Sequence, residues 1–184
     1  TARRLPGLRV AVQILATRQA VEAVSRGGAD IGLVHDILDD PLVGAEDLGR
    51  AVMACAVPAR HPLATRDRLH ARDLRAVPFA CYAVDSPIGQ RMRAAFEAVG
   101  ERFAPTFELG ASTVLCEVAL KAGVPGVVEG YILALGWWPG LRVVPLEPEV
   151  PLRPRLLTTL QRPVSCAARA VGEECRRVVT RLLD

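Results

Sequence analysis

The sequence has little of what builds most enzymatic sites. His35, His61 and His70 are its only histidines, so imidazole acid–base or metal chemistry has few carriers. The five cysteines, at 55, 81, 116, 166 and 175, form no CxxC pair and have no histidine at zinc spacing. A free cysteine among apolar residues behaves as a small hydrophobe, and an odd, scattered set suits a reducing compartment. GxSxG, P-loop, HExxH and GxGxxG are all missing. GASTV, residues 110–114, lacks the glycine that a nucleophile elbow needs. Ser112, His35 and Asp30 can be written down as a triad, but no spacing brings them together. No catalytic residue, metal ligand or cofactor is expected.

Other shortages bound the partners. Aromatic residues make up only 4%, so the core must be built from Val, Leu, Ile and Ala. Lys121 is the only lysine, and the arginines that carry the positive charge are dispersed; net charge is +3. Nucleic-acid binding needs a concentrated basic stripe, and this chain has none. The most apolar stretch, residues 123–146, is interrupted by Pro125, Glu129, Pro139 and several glycines, which is not a membrane span. No signal peptide is visible. A cytoplasmic location without membrane contact is expected. Abundant Ala, Gly and Pro with Arg in place of Lys suits a GC-rich bacterial gene.

What is present is a globular composition. Apolar residues make up 51% and charged residues 23% of 184 positions, enough for one substantial domain or two small lobes. In 8–15 (LRVAVQIL), Leu8, Val10, Val12 and Ile14 alternate with Arg9, Ala11 and Gln13, a period of two that predicts a strand. A helix follows, with Val21 and Val24 on one face, Thr17 at its start and Gly27-Gly28 at its end. ADIGLVHD predicts a strand covered on both faces, and the three segments together a parallel β-α-β unit. AVMACAV and FACYAV read as strands, with a short helical turn in RLHARDLRAVP between them. DSPIGQRMRAAFEAVG is the clearest helix: Ser86 caps it, Pro87 takes the first helical position, and Ile88, Met92, Phe96 and Val99 form its stripe. PTFELGA is a strand, and Ser112 or Thr113 caps the helix STVLCEVALKAG. GVPGVVEG is a short buried strand, and LRVVPL and RPRLLTTLQR are further strands. Ser165 caps a last helix with Val171, Cys175, Val178 and Leu182 inward, and Arg169–Glu173 and Glu173–Arg177 as outer i,i+4 pairs. Strands alternate with helices throughout, which defines an α/β chain.

In open α/β sheets, ligands lie beyond the carboxyl ends of strands, often at helix N-termini that favour carboxylates or phosphates. Thr17, Ser86 and Ser112 stand at three such strand-to-helix turns. Each can equally be an ordinary cap. His35 ends a strand and can be a pocket group or a loop residue bonded to backbone. Glu129 ends another, where it can meet a cationic group or face solvent. His61, in PARHPLA between Pro58 and Pro62, looks placed, but two prolines stiffen a turn, and backbone bonding is the expected role.

The order of these segments resembles the effector-binding domain of LysR-type transcriptional regulators. LPGLRVAVQI, SRGGADIGLV, AVPARHPLA with DLRAVPF, KAGVPGVVEG and PVSCAARAVGEECRRVV each resemble a family element, in the family's order. The resemblance implies two Rossmann-like α/β lobes with a cleft between them, like a type 2 periplasmic binding protein. Lobe one would comprise 1–77 and 153–184, and lobe two 78–152. It implies a cytoplasmic sensor that takes a small, carboxylate-bearing effector in the cleft, with Thr17, His35, Ser86, Ser112 and Glu129 as pocket residues. Self-association as a dimer or tetramer is implied, with DNA binding only through an N-terminal winged helix-turn-helix preceding this segment. Two departures stand out. No such front part precedes Thr1, so the chain is expected to be a piece of a longer regulator. Where the family has Gly-x-Gly and an apolar run ending in proline, this chain has Gly123-Val124-Pro125-Gly126 and then Glu129, which favours an effector with an amino or guanidino group. The alternative is a solute-binding protein for a small organic acid or amino acid, which shares the fold; a small α/β enzyme is a third reading.

Overall fold

The computed structural model describes residues 7–35 and 40–183, and the chain divides into two units, 1–50 with 153–184 and 51–152.

The first unit contains α1 (Thr17–Ser25), β1 (Ile31–His35), β2 (Val43–Asp47), β10 (Pro154–Thr159) and α5 (Cys166–Leu183). Its sheet runs β1-β10-β2, antiparallel at both junctions. Successive strand side chains point to opposite faces, and β10 uses this to hold both helices. Leu157 packs with Val21 and Val24 of α1 and with Val34. Its neighbour Leu156 packs with Val179 of α5 and with Leu48, joined by Cys175 and Leu183. The result is a helix–sheet–helix sandwich about one short strand.

Several expectations are corrected here. Residues 8–15 form no strand. Val12 and Ile14 are 83% and 80% exposed; a period-two pattern makes a strand only when a neighbour takes its backbone hydrogen bonds, and none of the described strands does. The expected parallel β-α-β unit is therefore replaced by the antiparallel β1–β10 pair. Leu33, expected to be covered, is exposed. In α5 the inward stripe runs through Ala168, Gly172 and Val179, and Val178 faces out. Arg177 pairs with Glu174, and Arg176 reaches Glu46 with two hydrogen bonds of 2.6 and 2.7 Å. Ser165 does cap α5, accepting from the Ala168 N–H at 3.1 Å.

The second unit contains β3 (Ala51–Pro58), β4 (Leu69–His70), α2 (Ala71–Arg75), β5 (Ala80–Tyr82), α3 (Pro87–Ala98), β6 (Phe107–Leu109), α4 (Ser112–Ala122), β7 (Gly126–Glu129), β8 (Leu141–Glu147) and β9 (Pro151–Leu152). Its sheet runs β4-β8-β3-β7-β5-β6, with β9 also on β3. Residues 51–77 were expected in lobe one. Their backbone hydrogen bonds place them here, because β3 is a central strand between β7 and β8. That explains its near-continuous apolar sequence, buried at every position but Val52.

β5 pairs in parallel with both β6 and β7. Behind them lies a compact aromatic cluster in which Phe96 of α3 meets Phe103 edge-on with ring centroids 5.3 Å apart, while Phe79 stacks on Phe96 and lies tilted against Phe103. Met92 and Phe96 are fully buried as the α3 stripe requires, but Val99, its last expected member, is 52% exposed because the helix ends there. Gly100, at φ 76°, and the Glu101 N–H donating to the Phe96 carbonyl close that end. His61 sits at the head of a 3-10 turn, Pro62–Thr65, where its Nδ1 accepts from the Leu63 N–H at 3.2 Å. It is the backbone-bonded residue expected.

Candidate functional site

In the second unit, three parallel strands end on the same side. β5 ends in Tyr82 and β7 in Glu129; β6 leads through Gly110 and Ala111 into Ser112 at the first turn of α4. The three side chains meet. The Tyr82 hydroxyl lies 2.7 and 2.8 Å from the two carboxylate oxygens of Glu129. The Ser112 hydroxyl donates to Glu129 Oε2 at 2.5 Å and lies 2.5 Å from the Tyr82 oxygen. Glu129 is only 4% exposed and Tyr82 7%, while Ser112 and Tyr131 on the rim are half-buried.

Local sequence explains the convergence. The Ala111 backbone, extended at φ −148°, takes the N-cap position of α4, so Ser112 is the first helical residue. Neither Ser112 nor Thr113 supplies a side-chain cap, and the Ser112 hydroxyl is turned to Glu129 instead. Gly126 starts β7 against α4, where an added Cβ would lie 3.2 Å from Ala119 Cβ; its small size brings helix and strand close. The loop after β5 is fixed by the Val84 N–H donating to Glu108 of β6 at 2.8 Å.

Burial and the Glu129 charge raise the neighbouring acids. The Tyr82 hydroxyl is pushed well above its ordinary range, first by burial and then by Glu129. Tyr131 is raised for the same two reasons. Burial pushes the Cys81 thiol up to about 12, with Glu129 and Glu108 adding to it. Cys116 is pushed up to about 11 by burial, then by Glu129 and Glu117. Such thiols are inert packing groups.

Of the other predicted site residues, Ser86 is in the second unit and fully used as a cap. Its hydroxyl accepts from the Gly89 N–H at 3.0 Å and donates to the Ala83 carbonyl at 2.6 Å. Thr17 and His35 belong to the first unit. Thr17 is the first residue of α1 rather than its cap; Ala16 holds that place, and its N–H donates to Gln19 Oε1 at 3.2 Å. His35 ends β1 opposite Pro154. Tyr82 escaped the sequence reading because it looked like one more apolar position in FACYAV. The available signal was a residue with a polar tip closing an otherwise apolar strand, in a chain with two tyrosines.

Two further hollows lie elsewhere, and several of their charged wall residues are paired. One of about 640 Å³ on the second unit is lined by Arg68, His70 and Glu147, with Arg68 and His70 each contacting Glu147. One of about 330 Å³ on the first unit is lined by Glu46 and Arg176, the bidentate pair already described. Among the described residues, no group of three or more His, Cys, Asp or Glu side chains is placed to hold a metal ion. No described helix is long and apolar enough to cross a membrane.

The chain holds two α/β units, each with its own sheet, the make-up of a periplasmic-binding-protein-like fold. The LysR substrate binding domain family model matches residues 2–180, and the chain belongs to that family, whose members are domains of transcription regulators rather than enzymes. The fold is similar to that of HinK, a LysR family transcriptional regulator from Pseudomonas aeruginosa, at TM-score 0.76 and 17% identity over 98% of this chain and 63% of that one. It is similar to the regulatory domain of Synechocystis PCC6803 CcmR in complex with 2-PG, at TM-score 0.76 and 14% identity over 97% and 86% of the two chains. It is also similar to the BenM effector binding domain with its effector benzoate, at TM-score 0.68 and 20% identity over 98% and 82%. The chain spans 56% to 64% of the length of the longer regulators it resembles. No curated protein matches it by sequence.

Proposed function

We propose that this chain is the effector-sensing part of a bacterial, cytoplasmic transcription regulator, and that it takes a small, carboxylate-bearing molecule. The observation that carries the reading is the buried polar cluster of Tyr82, Ser112 and Glu129 at the carboxyl ends of parallel strands, in a chain of the LysR substrate-binding family. Ser112, Glu129 and Tyr82 are its strongest ligand residues. Thr17 and His35 are further contacts, and Ser86 acts only through its helix cap. Solved structures of similar fold hold benzoate, as effector, and shikimate, in complex, and both are carboxylates, which supports the ligand class. DNA binding belongs to an N-terminal domain of the whole regulator, which works as a dimer or tetramer. The effector alters transcription only so far as it binds one arrangement of that assembly better than another. The same family membership weighs against a transport solute-binding protein.

The test uses the full-length regulator and a reporter driven by the promoter it occupies, with a panel of organic acids and amino acids. At least one compound is expected to change transcription, and Ser112→Ala to weaken that response. A reporter that responds to none of them, or one that responds identically with Ser112→Ala, refutes the reading.

A further inference from the structure

The hollow of about 330 Å³ in the first unit lies on the α5 side of its sheet. Leu156 and Thr158, two apart on β10, share that face. Ile31 of β1 stands opposite Thr158, and Glu46 of β2 opposite Leu156. Ala168, Gly172 and Arg176, four apart along α5, form the helical wall. Gly172 is the odd member. Glycine inside a helix weakens it, and packing on the sheet does not demand one. A Cβ there would meet Leu156 Cδ2 at 3.4 Å, an ordinary contact. Alanine would fit and strengthen α5. What the glycine preserves is the depth of the hollow.

The charges on its walls define the ligand. Glu46 and Arg176 neutralise each other through their two hydrogen bonds. Arg169, exposed at the mouth, is the remaining charge. Among the described residues its guanidinium meets only the Val164 carbonyl, at 3.4 Å, which leaves most of its five N–H donors available. The Thr158 hydroxyl also lines the hollow and has no hydrogen-bond partner among the described residues. Ile31, Leu156, Val164 and Ala168 supply apolar surface. Such a lining takes a ring or short chain out of water, and a planar guanidinium suits a carboxylate. We propose that this hollow is a second ligand site, for a compact apolar carboxylate. Arg169 and Thr158 hold the carboxylate, and Gly172 makes room for the apolar body. The site belongs to the first unit alone and does not rest on the effector-sensing reading.

The probes are phenylacetate and its neutral isostere phenylacetamide, titrated calorimetrically into the whole chain. An ion pair with an exposed arginine is worth up to about fivefold in affinity. Phenylacetate is therefore expected to bind about fivefold tighter than phenylacetamide, and Arg169→Gln should bring that ratio close to one. Gly172→Leu sends its side chain over the preceding turn, into the hollow, and should weaken phenylacetate at least about tenfold. The same change replaces a poor helix former by a good one, so a urea midpoint no lower than wild type shows that the fold is kept. If that variant does not fold, the wild-type ratio and Arg169→Gln decide alone. No binding of phenylacetate at millimolar concentration overturns the proposal. So does a wild-type ratio of one, or a ratio that survives Arg169→Gln. Binding lost in Glu129→Gln and unchanged in Gly172→Leu also overturns it, and assigns the acid to the cluster in the second unit, so the effector-sensing reading stands. The reporter assay above tests that reading separately.

Discussion

Gly89 is the tightest glycine in the second unit. A Cβ built on it would lie 2.0 Å from the Ala83 carbonyl oxygen and 2.8 Å from its carbon, both backbone atoms. That carbonyl accepts from the Ser86 N–H at 2.9 Å and from the Ser86 hydroxyl at 2.6 Å. A methyl group at 89 must therefore push α3 away from the end of β5 by more than an ångström, and the Ser86 cap is lost with it. Overpacking of this kind costs about 1–3 kcal/mol, and loss of an N-cap about 1 kcal/mol more. The better helix propensity of alanine returns about 1 kcal/mol. A net loss of about 2 kcal/mol is predicted for Gly89→Ala, read as a lower urea midpoint at unchanged slope. Gly123→Ala is the control. Its φ is 69°, but nothing lies within 4 Å of the added methyl, so only the conformational cost of about 1 kcal/mol remains. If Gly89→Ala is as stable as wild type, or more stable than Gly123→Ala, the packing of α3 against the β5 loop is misjudged.

Three further predictions follow from the same geometry. His61→Ala should cost about 0.5–1.5 kcal/mol, the worth of one hydrogen bond, and leave effector affinity unchanged; a large loss of affinity would return His61 to the site. In native protein near pH 8, a thiol reagent should label Cys166 quickly and Cys175 slowly, while Cys55, Cys81 and Cys116 react only after unfolding, since those three are fully buried. Rapid labelling of three or more thiols contradicts the burial. The unfolded chain loses the Cys81 proton near pH 9, whereas the folded protein holds it to about 12. Its contribution is complete below pH 9 and lost as pH rises towards 12, at most about 4 kcal/mol. Cys81→Ala should flatten that decline in a series of urea midpoints.

Local patterning made most of the elements readable. Pro87 after a capping serine, glycines at 100 and 123, and the stripe Met92–Phe96 were enough to place α3 and α4, because those signals act within one turn of helix. Pairing was less readable. AVMACAV looks the same whether it lies at an edge or at the centre, so sequence alone does not assign β3 to its unit; its hydrogen bonds to β7 and β8 show it is central. LRVAVQIL has a perfect strand period, but period does not create a partner. β2, with its mixed VGAED sequence, carries no clear signal and owes its form to β10. At the site, Ser112 and Glu129 were legible as strand-end residues. That they touch, and that Tyr82 completes them, depends on β5 lying beside β7, a contact between residues 80 and 126 that no local pattern encodes.

The central claim is that a small molecule is sensed through the Tyr82–Ser112–Glu129 cluster. The most direct measurement is thermal unfolding of the domain with a panel of amino acids and organic acids, run in parallel on wild type and Glu129→Gln. The account predicts at least one compound that raises the wild-type midpoint and leaves the variant's unchanged. A panel in which every stabilising compound acts equally on both proteins would contradict it.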